Sequence, residues 1–297
     1  MRKLENEQSL RGYLLSGVVV ALLGCVLAAS PIVATELRKY NSSPSRNVRG
    51  TSLVLGALAR EDKNPADGVV LLRYYDEAHE NVGGCSAGIQ RVEVGEDKSV
   101  YALLTVGHCI EGMIDGVVNS VDMFFGDGKQ VLNMESVGCI EYKHEESKQD
   151  NPSICIFQSN KNVGSVFDVT PLVTAPYVDL SVGQSLSAVG YPAVTNSSSL
   201  YDASLYAAEG VVTSKGDIST DYGVTQEVAC TSIFGYGGMS GGAVFDITGR
   251  VVGVVASTCA GPDRDYFSNV SVNLGVRDLP SDFDDFAEEC WRILVND

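Results

Sequence analysis

From Gly68 onward the sequence breaks into short β-type runs parted by turn residues, and no other feature limits the fold as much. Residues 69–72, 101–104, 186–189, 210–213, 243–246 and 251–256 are of this kind. Many short strands at near-regular spacing, with glycine-rich turns between them, predict a sandwich or a barrel. A chain of 297 residues has room for one large all-β domain or two small ones, with a real core. Only the tail departs from this texture. Ser281 suits a helix N-cap, and Phe283, Phe286, Ala287, Cys290, Ile293 and Leu294 follow at helical period, predicting a helix over 281–295 packed by one apolar face.

The first 66 residues read differently. Arg2, Lys3 and Arg11 precede an apolar run over 13–34, which is the pattern of a signal peptide and is also long enough to span a bilayer. Within it, Leu22-Leu23-Gly24-Cys25 resembles a bacterial lipoprotein box, which would lipidate Cys25; the bland alternative is one more apolar residue in the segment. Residues 1–35 are thus expected to be a signal peptide or membrane anchor, and 36–66, rich in Ser, Asn, Arg and Pro, a linker. Every one of these readings puts the remainder outside the cytoplasm, secreted, periplasmic or attached to a membrane through its N-terminal segment.

Charge divides along the same line. Residues 1–49 carry seven Lys/Arg and three Asp/Glu, and the rest fourteen against thirty-five, which gives the net −17. So acidic a body repels phosphate backbones and argues against nucleic acid as a partner. In an oxidising compartment the seven cysteines beyond Cys25 suggest disulfides, and the lack of any C-x-x-C pair argues against a zinc site. No cofactor is expected. Cys290, on the apolar face of the tail, reads as a buried thiol. Asn41, Asn196 and Asn269 each begin an N-x-S sequon.

Two segments carry the chemistry. One is Leu104-Thr105-Val106-Gly107-His108-Cys109; the other, 132 residues on from histidine to serine, is Gly237-Gly238-Met239-Ser240-Gly241-Gly242. A serine hydroxyl is a poor nucleophile until a neighbouring imidazole takes its proton, and histidine does so near neutral pH. His79 and His144, the other two histidines, have no motif around them.

In this order and spacing the two segments resemble those of the trypsin/chymotrypsin superfamily of serine proteases. Cys85-Ser86-Ala87-Gly88-Ile89, Val182-Gly183-Gln184 and Ala188-Val189-Gly190-Tyr191-Pro192 are similar to further strands of that family. The resemblance implies two six-stranded antiparallel β-barrels, over about 66–168 and 169–278 within a peptidase domain of 67–297, followed by the C-terminal helix. It implies a serine endopeptidase acting on protein or peptide substrates through an acyl-enzyme, with Ser240 as nucleophile, His108 as general base, and the N–H groups of Gly238 and Ser240 as oxyanion hole. It implies disulfides Cys85–Cys109 and Cys230–Cys259, with Cys139–Cys155 a weaker third pair.

Three departures from the family pattern matter. Met239 replaces the Asp that usually precedes the serine, and no I-V-G-G-like activation segment occurs, so the motif style is that of bacterial-type members that need no such activation. Phe234 stands six residues before Ser240, where no acid is available, so the pocket formed with Ser257 and Thr258 is expected to take apolar side chains. The acid that orients His108 falls in Gln149-Asp150-Asn151-Pro152-Ser153. Aligning Ser153 with the family's small residue puts Asn151 in the acid's place, whereas a one-residue bulge at Asn151-Pro152 lets Asp150 reach His108; Asp150 is the expected third member of the triad. Two rival readings stay open. One is a catalytically weak or inactive protease-like binding module. The other is an esterase on a different fold, which the strand after Ser240 fits badly.

Overall fold

The computed structural model describes residues 65–95, 98–116, 118, 120–125, 130–142, 151–159, 170–176, 179–192, 205–219, 225–259 and 272–296. The expected leader or anchor, most of the linker, His144, Asp150 and the three sequons lie outside the described residues.

The short apolar runs close into two antiparallel barrels. β1 (Val69–Tyr75), β2 (Asn81–Val94), β3 (Ser99–Val106), β4 (Ser120–Phe125), β5 (Gln130–Glu141) and β6 (Pro152–Ser159) form the first, in the order β1-β2-β3-β6-β5-β4. β7 (Ser185–Gly190), β8 (Tyr206–Ser219), β9 (Thr225–Gly235), β10 (Ala243–Phe245), β11 (Val251–Thr258) and β12 (Val272–Asp278) form the second, in the order β10-β11-β12-β9-β8-β7. This is the chymotrypsin-like architecture. Closure gives each strand two neighbours, which suits strands as apolar as β1 and β3, where every residue is buried. Leu72, Ile89, Leu103, Leu104 and Met123 fill the first core, and Val189, Ile233, Val244, Phe245 and Val254 the second. Each such side chain contributes about 1.5–3 kcal/mol on burial.

Three disulfides staple the barrels: Cys85–Cys109, Cys139–Cys155 and Cys230–Cys259. Cys85–Cys109 joins β2 to the turn that follows β3, closing a loop over a sequence separation of 24. Its loss through Cys85→Ala and Cys109→Ala is expected to lower unfolding stability by about 3 kcal/mol, read from urea denaturation curves extrapolated to water.

The tail folds as α2 (Phe283–Asn296), after the single-turn α1 (Glu111–Ile114). Phe283 and Cys290 are buried on its expected apolar face, which departs from expectation at Ile293. Ile293 is 40 % exposed, whereas Trp291 is only 3 % exposed. The cause is Arg91 on β2, whose guanidinium stacks 4.3 Å from the Trp291 ring centroid and reaches Glu288 at 3.0 Å, so the indole turns inward beneath a cation. Cys290 is buried beside it as a free thiol, and burial pushes its pKa up to about 11.

Candidate active site

The histidine and serine segments meet on two consecutive residues of one strand. Thr105 and Val106 end β3, and a 3₁₀ turn, Gly107–Cys109, then lifts the His108 side chain into solvent while Gly107 and Cys109 stay buried. Cys109 is bonded to Cys85 of β2. A ring nitrogen of His108 lies within 4.8 Å of both sulfurs, and because those sulfurs are joined to each other they offer no thiolate to a metal. The next residue of β2, Ser86, donates its N–H to the Ser240 carbonyl at 2.8 Å. Its hydroxyl donates to the Gly238 carbonyl at 2.9 Å and accepts from the Tyr191 N–H at 2.8 Å. Its own carbonyl accepts from Thr105 Oγ1 at 3.0 Å. One strand of the first barrel thus fixes the histidine turn through Cys85 and the serine turn, from the second barrel, through Ser86.

The serine turn itself explains its glycines. It connects β9 to β10 and leaves Ser240 half-buried. Gly238 and Gly241 have φ of +87° and +76°, a region that side-chain-bearing residues rarely adopt. A Cβ at Gly241 would also collide with Thr105 Oγ1 and the Ser86 carbonyl, so the approach of the two barrels requires glycine there. Within the turn, the N–H groups of Met239, Gly241 and Gly242 are bonded to the carbonyls of Tyr236, Val255 and Met239. Among the described residues, those of Gly238 and Ser240 have no acceptor. Two unbonded N–H groups two residues apart, beside a hydroxyl, are what binding a developing oxyanion demands.

The bulge expected at Asn151-Pro152 is absent. β3 and β6 pair in unbroken register from Ser99↔Ser159 to Val106↔Pro152, and the Gly107 N–H extends the ladder to the Asn151 carbonyl at 2.9 Å. Proline is accommodated because it is the first residue of β6, where a missing N–H costs a single ladder bond. Asn151 is therefore set beside the histidine turn, 2 % exposed, with its carbonyl also accepting from Ser153 Oγ at 3.1 Å. Behind it is a cleft of about 180 Å³ lined by Tyr142, Asn151, Lys215, Glu227, Arg277 and Asp278. There Lys215 bridges Asp179 at 3.1 Å and Asp278 at 3.2 Å, and burial pushes the Asp278 carboxyl up. Asp150 lies outside the described residues.

Phe234 is on β9 with its side chain 41 % exposed, because Ile233 and Gly235 take the inward positions on either side. It borders Asn273 of β12, whose carbonyl accepts from the Cys259 N–H, so Phe234 and Thr258 flank the same strand. It thus offers an apolar surface. Ser257 is buried, with its hydroxyl unpartnered among the described residues. His79 is in the turn between β1 and β2, stacked on Tyr75 at 4.9 Å and far in sequence from either motif. Glu141 and Arg277 are site neighbours outside every motif, whereas Ser86 and Tyr191 lie in segments that carry the resemblance but to which it gives no role.

Comparison with known proteins agrees with this architecture. The family described as trypsin-like peptidase domain matches residues 92–254. Among solved structures the chain is similar to the HtrA-type protease AlgW with a tripeptide, at TM-score 0.51 and 15 % identity, covering 82 % of this chain and 64 % of that one. A variant of the same protease gives TM-score 0.51 at 14 % identity over the same shares. Rv3671c from M. tuberculosis H37Rv, in an inactive form, gives TM-score 0.47 at 18 % identity, covering 83 % and 94 %. The chain spans about 64 % of the length of AlgW, and at these identities the likeness is one of fold. No curated protein sequence matches the chain.

Proposed function

Because the chain belongs to the trypsin-like peptidase family, we propose that it is a serine endopeptidase in which Ser240 attacks the scissile carbonyl and His108 is the general base. The observation that carries this reading is the adjacency of Cys85 and Ser86, which ties the histidine turn and the serine turn to neighbouring positions of β2. His108 takes the Ser240 proton as the hydroxyl adds to the carbonyl, and the N–H groups of Gly238 and Ser240 bind the oxyanion. The imidazolium then gives its proton to the leaving amine, and water, deprotonated by the same ring, hydrolyses the acyl-enzyme. Substrates are proteins or peptides outside the cytoplasm, where three disulfides are maintained. The apolar surface of Phe234, with no charge of its own, supports a preference for apolar residues on the acyl side of the bond.

The third member of the catalytic set comes from Asp150-Asn151. The unbroken register of β3 with β6 supports Asn151 as the group beside His108, and Asp150 is the competing choice. An asparagine there also favours a second reading, a slow or inactive protease-like binding module, because it lacks the charge that stabilises an imidazolium. A fluorophosphonate probe applied to the full chain separates the two. Wild type is expected to be labelled at Ser240, and Ser240→Ala and His108→Ala to give no label. A folded wild-type protein that takes no label is the binding module.

A further inference from the structure

A hydroxyl buried inside a strand must find hydrogen-bond partners, and Ser86 on β2 finds both of its own on the second barrel. The Tyr191 N–H can only donate, so Ser86 Oγ accepts there and its single hydrogen goes to the Gly238 carbonyl. That carbonyl belongs to the peptide unit joining 238 to 239, which lies between the two N–H groups without an acceptor. The other end of the unit, the Met239 N–H, donates to the Tyr236 carbonyl at 3.3 Å. Beyond it, the Met239 carbonyl accepts from the Gly242 N–H and the Ser240 carbonyl from the Ser86 N–H. The turn needs such clamps. Gly238 has φ +87°, and glycine by itself populates either sign of φ with nearly equal ease. Met239, buried and uncharged, offers no ion pair to hold the turn instead.

We propose that Ser86 is a positioning residue whose hydroxyl, by pinning the Gly238–Met239 peptide unit, holds the Gly238 and Ser240 N–H groups set for an oxyanion before substrate arrives. The proposal rests on the reading of those two N–H groups as the oxyanion hole. Ser86 then has two separable tasks. Its backbone N–H ties the serine turn to the first barrel, and its hydroxyl sets the direction of the donors. Donors that are already set leave no reorganisation for the moment of reaction, which is what makes such a site effective. Without the hydroxyl, the Gly238 carbonyl loses its donor. The freedom of glycine then lets the unit turn to find another, and the N–H groups on either side turn with it.

The test is NMR of the full chain with paired labels. Gly-Met occurs only at 112–113 and 238–239, and Met-Ser only at 239–240. Carbonyl-¹³C glycine with ¹⁵N methionine therefore gives two peptide signals, told apart by Met113→Leu, and carbonyl-¹³C methionine with ¹⁵N serine gives one. Wild type is expected to show a single sharp signal for the 238–239 unit and for the Ser240 amide. In Ser86→Ala the ratio of set to turned units should fall at least about tenfold, the equivalent of one hydrogen bond, so that both signals split or broaden. Ser86→Gly removes the same hydroxyl and should act alike, and Ser86→Thr, which keeps it, should restore the single signals. Thr105→Val removes the neighbouring hydroxyl bond to the Ser86 carbonyl and should lower the melting temperature while leaving both signals single. The rate of fluorophosphonate labelling should fall about 10–10²-fold in Ser86→Ala, less than the 10²–10³ of a donor lost outright. Single sharp signals in Ser86→Ala or Ser86→Gly overturn the proposal, as does splitting in Thr105→Val or an unchanged labelling rate. The signals are read without substrate or probe. A wild type that takes no label but whose signals depend on Ser86 therefore refutes only the endopeptidase reading, and a labelled wild type with indifferent signals refutes only this one.

Discussion

Asn151→Asp is expected to raise kcat by about 10²–10⁴-fold, with KM little changed, since the reverse change in the template serine protease costs about 10⁴ and acts through the His orientation and charge. The physical case rests on neighbours already in place. Arg277 Nη2 stands 3.4 Å from Asn151 Oδ1 and would become the counter-ion of a new carboxylate. Glu141 Oε1, 3.5 Å from Nδ2, would become a like-charged neighbour, which is why the lower end of the range is included. The new anion favours the imidazolium that forms in the transition state, so the gain belongs in kcat. Burst-resolved hydrolysis of a peptide library by wild type, Asn151→Asp and Asp150→Ala decides the matter. If Asn151→Asp changes turnover by less than a few-fold and Asp150→Ala is severe, Asp150 is the acid and the Asn151 assignment fails.

Ser240→Ala and His108→Ala should each lower kcat/KM by about 10²–10⁴-fold, the part of the full triad's effect that remains with asparagine at 151, and the double variant by no more than either alone. Non-additivity follows from the mechanism: an imidazole without a hydroxyl to deprotonate contributes nothing, and neither does a hydroxyl without a base. Because Ser86 bonds the backbone carbonyl of Ser240 and not its side chain, Ser240→Ala leaves the junction of the barrels intact. Melting temperatures near wild type are therefore expected alongside the lost activity. Two single losses that multiply in the double variant would mean that the two side chains act separately, and the proposed pair would be wrong.

Much of this architecture is legible in the sequence because it is written in local patterns. The β-type runs and the two catalytic-type segments are each contiguous, and the structure holds two closed barrels; the pairs Cys85–Cys109, Cys139–Cys155 and Cys230–Cys259, which the family resemblance alone implies, are joined as well. What is not legible depends on partners distant in the chain. Nothing near Trp291 announces that Arg91 will stack on it, so helical period alone puts Ile293 on the buried face. Glu141 and Arg277 are ordinary charged residues at strand ends until β5, β6 and β12 bring them to Asn151 from both sides. Proline's missing N–H by itself predicts a bulge at Pro152, but the ladder to β3 runs through its position without loss of register.

The Cys85-Ser86 pair also bears on how such a chain survives its own synthesis. The first barrel carries an exposed histidine and a disulfide but no proposed nucleophile; the second carries the serine turn, whose carbonyls at 238 and 240 accept from Ser86. On the proposed pairing of His108 with Ser240, neither barrel alone can cut a peptide bond, and competence waits on the docking of one barrel against the other.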